Sequence, residues 1–455
     1  MLLILALWLA TVAPLTTLGF GSDTDAWLVA DVTDHIVAQG RYLRSRTSGF
    51  PLYELAVTPL VQLGNWHLSN LLALGSGLVL FLTVAALGRG GHYRHPTIVL
   101  VTLMFLPVIV KNSSVTMDYI PALALLLLAY RALVNERWGL TAVLIGVATG
   151  FRPSSLVFAL PCAIYVWRHT RQVVPAVRLI GIAAVVGAVA FSPSLPNGPF
   201  GIVPTMPWMK GVYNAFRLFG LAQTLALALV GWVSRKTLTA VLRQATADPV
   251  VMFHLAVVVT WVALFAPLPD EPEYLLPLVP SVLWLLDRAL SRRAIVTVCA
   301  IVLSYHVFSV EAGGTRRGAR PMRLVAGPGF TVADIEDRRF KLSIREAATT
   351  WKGQAPTLLM EQALAVTTRN PAWILDSKVD EYRQRDGQMY VALRYYRADM
   401  VKRIVDNRVR IVVLKDREWE FHQPGRDTAW PFIDFVTRDE LDRLLGRPIV
   451  GRPLS

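Results

Sequence analysis

Along its first 310 residues the chain alternates long apolar blocks with short polar connections. A helix needs about 20 apolar residues to cross a bilayer, and residues 1–18 nearly reach that length. No positive residue precedes this first block and no A-x-A site follows it, so it reads as a retained helix rather than a cleaved signal. Further blocks run near 68–88, 97–110, 117–134, 139–150, 155–167, 177–191, 215–233, 250–266, 275–290 and 294–310. The pattern therefore predicts an α-helical polytopic membrane protein with about eleven transmembrane helices. The blocks on either side of Gly150-Phe151-Arg152-Pro153 are short and predict a hairpin that does not fully cross, an arrangement tolerated where it lines a cavity.

Beyond residue 310 the pattern changes. The opening of the tail, AGGTRRGARPMRLVAGPG, is rich in Gly and Arg, and 311–330 reads as a linker. Residues 331–455 are long enough for one small soluble domain. A helical stretch near 398–406 precedes the alternating run Arg408-Val-Arg-Ile-Val-Val-Leu, which predicts a strand, so the domain is expected to be α/β. It carries no metal-ligand spacing, phosphate loop or nucleophile elbow.

Composition sharpens the division. The chain is 54% hydrophobic and 17% charged, with a mean hydropathy of +0.44. From Glu311 onward there are 26 Lys+Arg and 20 Asp+Glu, against 20 and 12 in the preceding 310 residues. Part of the net charge of +14 thus belongs to the membrane half, in arginines clustered between apolar blocks. The rest shows no basic run with interleaved aromatics, which argues against nucleic acid as a partner. With the amino terminus inside, thirteen basic residues fall in inner connections, from Arg89 to Arg293, and seven in outer ones: Arg41, Arg44, Arg46, Lys111, Arg152, Lys210 and Arg217. This obeys the positive-inside rule and places the 19–67 loop, the 192–214 loop and the carboxy-terminal domain outside. The prevalence of Arg over Lys suggests a GC-rich genome and a bacterial plasma membrane. Cys162 and Cys299 lie in apolar blocks and report no disulfide framework.

The 19–67 loop is polar for a connection between membrane helices. Trp27, Ala30, Ile36 and Val37 fit a short amphipathic helix at the interface, with Asp23 and Asp25 at its amino end. Helix capping explains such acids as readily as chemistry does, and Asp31 and Asp34 read as a solvated face. Asp118 heads another apolar helix, where capping is again an alternative to a site role. Arg152 within an interrupted apolar hairpin needs a partner, whereas Lys111 and Lys210 have snorkelling to the interface as an alternative. His35, His67 and His254 lack ligand spacing and read as structural. Trp66, Trp208, Tyr213 and Trp261 fit interfacial belts.

The acidic motif after the first span, followed by Gly40-Arg-Tyr and by Ser45-Arg46-Thr-Ser-Gly-Phe-Pro51-Leu-Tyr53-Glu54, resembles the first outer loop of the GT-C glycosyltransferases. That superfamily includes protein O-mannosyltransferases and lipid A aminoarabinose transferases. The resemblance implies a transferase that moves a sugar from a polyprenyl-phosphate donor to a glycan, lipid or protein acceptor outside the membrane. It implies a catalytic base at Asp25, with Asp23 as the alternative because Thr24 replaces the first acid of the family's usual pair. It further implies cations for the donor phosphate, Arg152 first, then Arg46, Lys210 and Lys111. Tyr53, Glu54 and Asp118 are implied as substrate-binding residues. So are Glu273 and Tyr274 in the stretch Glu271-Pro-Glu-Tyr-Leu-Leu-Pro277, although Glu273 stands where the family usually has a basic residue. A secondary transporter and a non-catalytic scaffold are the alternatives. No paired repeat of interrupted helices supports the former, and the latter predicts unchanged product when the loop acids are removed.

Overall fold

The computed structural model describes residues 1–46, 48–197, 208–268, 271–313, 323–350 and 433–451, with short strands at 357–359, 373–375, 384–385, 388–389 and 410–414. The expected helical stretch near 398–406 lies outside the described residues. Chain contacts divide the molecule into two units. The first comprises Met1–Thr17, Val32–Gly313 and Arg323–Val332, the second Leu18–Asp31, Gly314–Met322 and Ala333–Ser455.

The helices of the first unit fall mostly on the apolar blocks, while Thr24–Gln39, Arg235–Arg243 and most of Trp208–Arg217 lie between them. They are α1 (Leu2–Val12), the carboxy-terminal part of α2 (Thr24–Gln39), α3 (Pro51–Arg89), α4 (Pro96–Met104), α5 (Pro107–Asn112), α6 (Tyr119–Val134), α7 (Trp138–Phe151), α8 (Ala159–Thr170) and α9 (Val173–Phe191). There follow α10 (Trp208–Arg217), α11 (Leu221–Val233), α12 (Arg235–Arg243), α13 (Pro249–Phe265), α14 (Val279–Ala289) and α15 (Arg292–Ser304). Many are short. Among the described residues, Pro51–Arg89 and Val173–Asn197 are long and apolar enough to cross a membrane alone, and α11 with the segment after it makes a third if their 73° bend is one broken span. The 14 residues of α7 rise about 21 Å, short of a core of roughly 30 Å.

Proline sets many of the breaks. Pro107 separates α4 from α5, because a residue before proline is driven out of the α region and Leu106 is extended. Pro153 does the same to Arg152, which leaves the end of α7 at φ −152° and ψ 113° before a 3-10 turn. In α3 the helical geometry fails at Gly64 and Asn65, which separates a stub bearing Tyr53 and Glu54 from the membrane-length stretch.

Small residues bring α7 against α9. A Cβ on Gly146 would lie 2.5 Å from Val186 Cβ, and one on Gly150 would lie 2.5 Å from Leu52 Cγ and 2.9 Å from Ala190 Cβ. This is the close approach that Gly at i and i+4 permits between helices in lipid. Trp261, expected at an interface, is instead buried edge-on against Phe158, with ring centroids 5.8 Å apart.

Connections expected on the same side meet each other. Arg94 and His95 bond to Asp287 and Arg288, Arg288 pairs with Asp248, and His169 meets Glu136. Elsewhere Ser194 donates to Tyr42 and Arg46 reaches Asp118. The first unit closes with an antiparallel pair, β1 (Phe308–Gly313) against β2 (Arg323–Pro328), so strands rather than helix occupy 308–310 and bracket the Gly/Arg-rich segment.

In the second unit, α16 (Phe330–Thr350) contributes Phe340 and Ile344 to a core shared with Leu441 and Leu445 of α17 (Arg438–Leu445) and with Ile449. Val450 N–H donates to Ser343 Oγ at 2.9 Å, joining the two segments. Strands β3 (Thr357–Leu359), β4 (Trp373–Leu375), β7 (Arg410–Leu414) and β8 (Ile433–Val436) form a parallel sheet in the order β4-β3-β7-β8. Between them β5 (Gln384–Arg385) and β6 (Gln388–Met389) form a small antiparallel pair. The alternating run at 410–414 thus sits inside the sheet.

Candidate active site

Asp118 is the centre of the first unit's polar cluster. It precedes α6, yet its carboxylate makes no cap to that helix. It is fully buried and receives Arg46 Nη2 at 2.7 Å on one oxygen and Arg152 Nη1 at 2.6 Å on the other. Three residues distant in sequence are thereby joined. Arg46 comes from the 42–50 loop, Asp118 from the head of α6, and Arg152 from the extended residue that Pro153 imposes after α7.

Aromatic rings wall this triad. Arg152 Cζ lies 4.0 Å from the centroid of Tyr119 and 4.7 Å from that of Tyr274, and Arg46 Cζ lies 4.0 Å above Phe50. A guanidinium is held well by ring faces because it is planar and weakly hydrated. Arg152 is only 9% exposed, and among the described residues it donates one hydrogen bond, to Asp118. A guanidinium has five N–H donors, so most of this buried fork has capacity for a further anion. Tyr119 in turn donates its hydroxyl to Glu271.

Glu54 has a different environment. Completely buried, it accepts from the Tyr42 hydroxyl, from Ser45 N–H at 2.9 Å, from the Ser45 hydroxyl and from Phe50 N–H at 3.1 Å. These bonds gather the segment on either side of Arg46 onto Glu54. Burial, and then the Glu54 charge, push the Tyr42 phenol above the usual tyrosine range. Gly49 belongs to the same loop at φ +75°, where a Cβ would lie 2.4 Å from Ser194 Oγ. Tyr53 is buried, with its hydroxyl unpaired among the described residues, and its ring tilts against Phe151 at 6.4 Å.

Lys111 is not a snorkelling lysine. Its Nζ lies 2.9 Å from Glu273, with side-chain exposures of 13% and 4%, and 5.8 Å from the Phe330 ring. A cation carried by α5 thus lies beside position 273. Lys210 falls on α10, and its side chain is outside the described residues.

Asp23 and Asp25 belong to the second unit, in a tightly bonded turn. Asp25 N–H donates to Asp23 Oδ1 at 2.9 Å, the capping geometry, and Asp25 itself is buried at the first turn of α2. Trp27 Nε1 donates to the Gly21 carbonyl at 2.8 Å while its ring meets Phe20 edge-on at 5.2 Å. The apolar pattern expected for this helix holds at Trp27, Ala30 and Ile36, which are buried, and fails at Val37, which is exposed. Asp34 accepts from Gln62 at 2.8 Å.

Of the remaining groups, His254 is structural, held between Tyr130 and Ser281 and stacked on Trp284 at 4.2 Å. Phe50, Tyr119 and Glu271 were not singled out by sequence. Tyr119 next to Asp118 at a helix head was the one legible signal among them.

No protein-family model matches the sequence, and no curated protein is similar enough to count as a relative. Among solved structures, ArnT from Cupriavidus metallidurans bound to undecaprenyl phosphate is 14% identical, with a TM-score of 0.51 over 83% of this chain and 86% of that one. The same protein in the apo state is 13% identical, with a TM-score of 0.48 over the same shares. At such identity the likeness speaks for the fold alone: the chain folds like ArnT from Cupriavidus metallidurans.

Proposed function

We propose that the chain is a multi-pass glycosyltransferase of the plasma (inner) membrane, moving a sugar from a polyprenyl-phosphate donor to a glycan, lipid or protein acceptor on the extracytoplasmic face. The observation that carries this reading is the Arg152 fork: buried, stacked on Tyr119 and Tyr274, and bonded to Asp118 through one nitrogen. A fork with unused donors at an outer connection suits the oxygens of a lipid phosphate. The structurally similar ArnT was captured with undecaprenyl phosphate, which supports a ligand of that class here.

In the proposed reaction an acceptor hydroxyl attacks the anomeric carbon. A new carbon–oxygen bond forms, the bond from that carbon to the phosphate oxygen breaks, and its electron pair leaves with the polyprenyl phosphate. Arg152 and Arg46 stabilise the departing charge. Lys111 and Lys210 are weaker candidates for that task. Asp25, with Asp23 as alternative, takes the acceptor proton, since an unassisted hydroxyl is a poor nucleophile. The capping bond made by Asp23 favours Asp25 for this role. Tyr53, Tyr274 and Asp118 line the substrate side, and Glu273 acts through its pairing with Lys111. All eleven apolar blocks enter the membrane, some as short or broken helices.

Membranes containing the protein, incubated with labelled polyprenyl-phosphate sugars, should consume one of them. Asp25→Asn keeps size and capping capacity while removing the base, and transfer should fall by roughly 100-fold. Consumption of none of the donors refutes the function, whereas full transfer by the Asp23→Asn/Asp25→Asn double variant refutes the base alone.

A further inference from the structure

Residues 334–341 read Asp-Ile-Glu-Asp-Arg-Arg-Phe-Lys, with acids four residues ahead of bases at 334/338 and 337/341. Such pairs normally decorate a solvated helix face and contribute a few tenths of a kcal/mol. Here they are buried. Arg338 is 0% exposed, Asp337 1%, Asp334 2% and Lys341 6%. Arg338 Nη2 lies 2.7 Å from Asp334 and Lys341 Nζ lies 2.9 Å from Asp337. By contrast Glu336 and Arg339, on the same helix, form an exposed pair at 3.4 Å.

Four charges removed from water need a reason beyond helix stability, because an apolar replacement is often as stable. The reason lies in what they hold. Ser22 donates its hydroxyl to Asp334, and Lys341 donates to the Ser22 carbonyl. Both bonds fall on one residue, adjacent to Asp23 and three before Asp25. On the other side of the acids, Trp27 bonds back to Gly21. The turn bearing both acids is thus anchored to a helix more than 300 residues away in the chain.

We infer that Asp334 and Lys341, set by Arg338 and Asp337, are positioning residues: they hold Ser22 and so fix the orientation of the acidic turn for transfer. The role in transfer rests on the reading of Asp25 as base; the anchoring does not. Neither residue touches substrate in this scheme. Each acts through Ser22, as a support that fixes a reactive group must.

The test uses the full-length protein in membranes. Ser22→Ala removes the hydroxyl bond without stranding a buried charge, and Lys341→Met removes the second bond. Both should raise hydrogen–deuterium exchange at residues 23–27. Both should lower kcat by about 10-fold to 100-fold, the scale of a small misplacement of a catalytic group, with the donor KM unchanged. Glu336→Gln, on the exposed pair, should alter neither. If Lys341→Met does not accumulate in membranes, Ser22→Ala decides. Unchanged exchange in Ser22→Ala overturns the anchoring, and raised exchange with unchanged kcat overturns the positioning role. Full activity of Asp25→Asn and Asp23→Asn combined would instead defeat the base assignment, and the exchange result would still judge the anchor.

Discussion

Arg152→Lys isolates what the planar fork contributes, because the charge remains and the fork is lost. The guanidinium makes a charged hydrogen bond to Asp118 at 2.6 Å while lying on Tyr119 at 4.0 Å and Tyr274 at 4.7 Å. An ammonium that keeps the Asp118 bond has no second edge to offer a phosphate and cannot stack as a plane. A hydrogen bond to a charged group is worth about 1.5–3 kcal/mol, and a cation–π contact about 0.5–2 kcal/mol. Losing one of each gives about 2–4 kcal/mol, since the full sum counts overlapping contacts twice. At 1.4 kcal/mol per decade, donor kcat/KM should fall by about 30-fold to 700-fold. Initial rates against donor concentration, in membranes carrying equal amounts of each protein, measure it. Arg152→Lys with wild-type donor kcat/KM, or Arg152→Ala with unchanged donor affinity, removes this residue from the donor site.

Glu54→Ala should leave the Ser45 amide without its acceptor and the Phe50 amide with the Tyr42 hydroxyl alone, lowering stability by about 1–3 kcal/mol in thermal denaturation and weakening donor use through Arg46. Because burial and the Glu54 charge push the Tyr42 phenol up, it stays neutral where ordinary tyrosines ionise. The ultraviolet titration of Tyr42→Phe should therefore match that of the wild type near pH 10, the ordinary tyrosine range. Lys111→Met should strand Glu273 and destabilise by about 3–5 kcal/mol, and adding Glu273→Gln should recover much of the loss; additive effects in denaturation would deny the pairing. A reporter after Ser455 should be active outside the cytoplasm and one inserted at Asn135 should not, and the reverse result would overturn the orientation.

The sequence was most legible where backbone chemistry dominates. Pro153 announces the break after α7, and apolar length announces the helices, because both act within one segment. The alternation at 410–414 announces a strand for the same reason. What the sequence could not show is which polar residues meet. Arg152 needed a partner that the sequence could not name, and capping looked as good for Asp118 as a site role, since contacts among three distant segments leave no periodic trace. For Lys111 snorkelling stood as an alternative to a site role, because Glu273 lies 162 residues away. The acid–base spacing at 334–341 is that of an ordinary solvated helix face, and burial of a face that carries charges of both signs has no hydropathy signature.

Gly146 and Gly150 touch no donor in the proposed mechanism, yet they govern Arg152. Where α7 meets α9 and Leu52, a methyl group on Gly146 would overlap Val186 and one on Gly150 would overlap Leu52 and Ala190, so the helix that ends just before the fork lets neighbouring side chains pack directly on its backbone. Its position is consequently paid for during folding, and little conformational freedom remains to be lost when an anion arrives. The same feature makes this part of the chain unforgiving to evolutionary drift. A change as small as Gly150→Ala, two residues before Arg152, must displace Leu52 and Ala190.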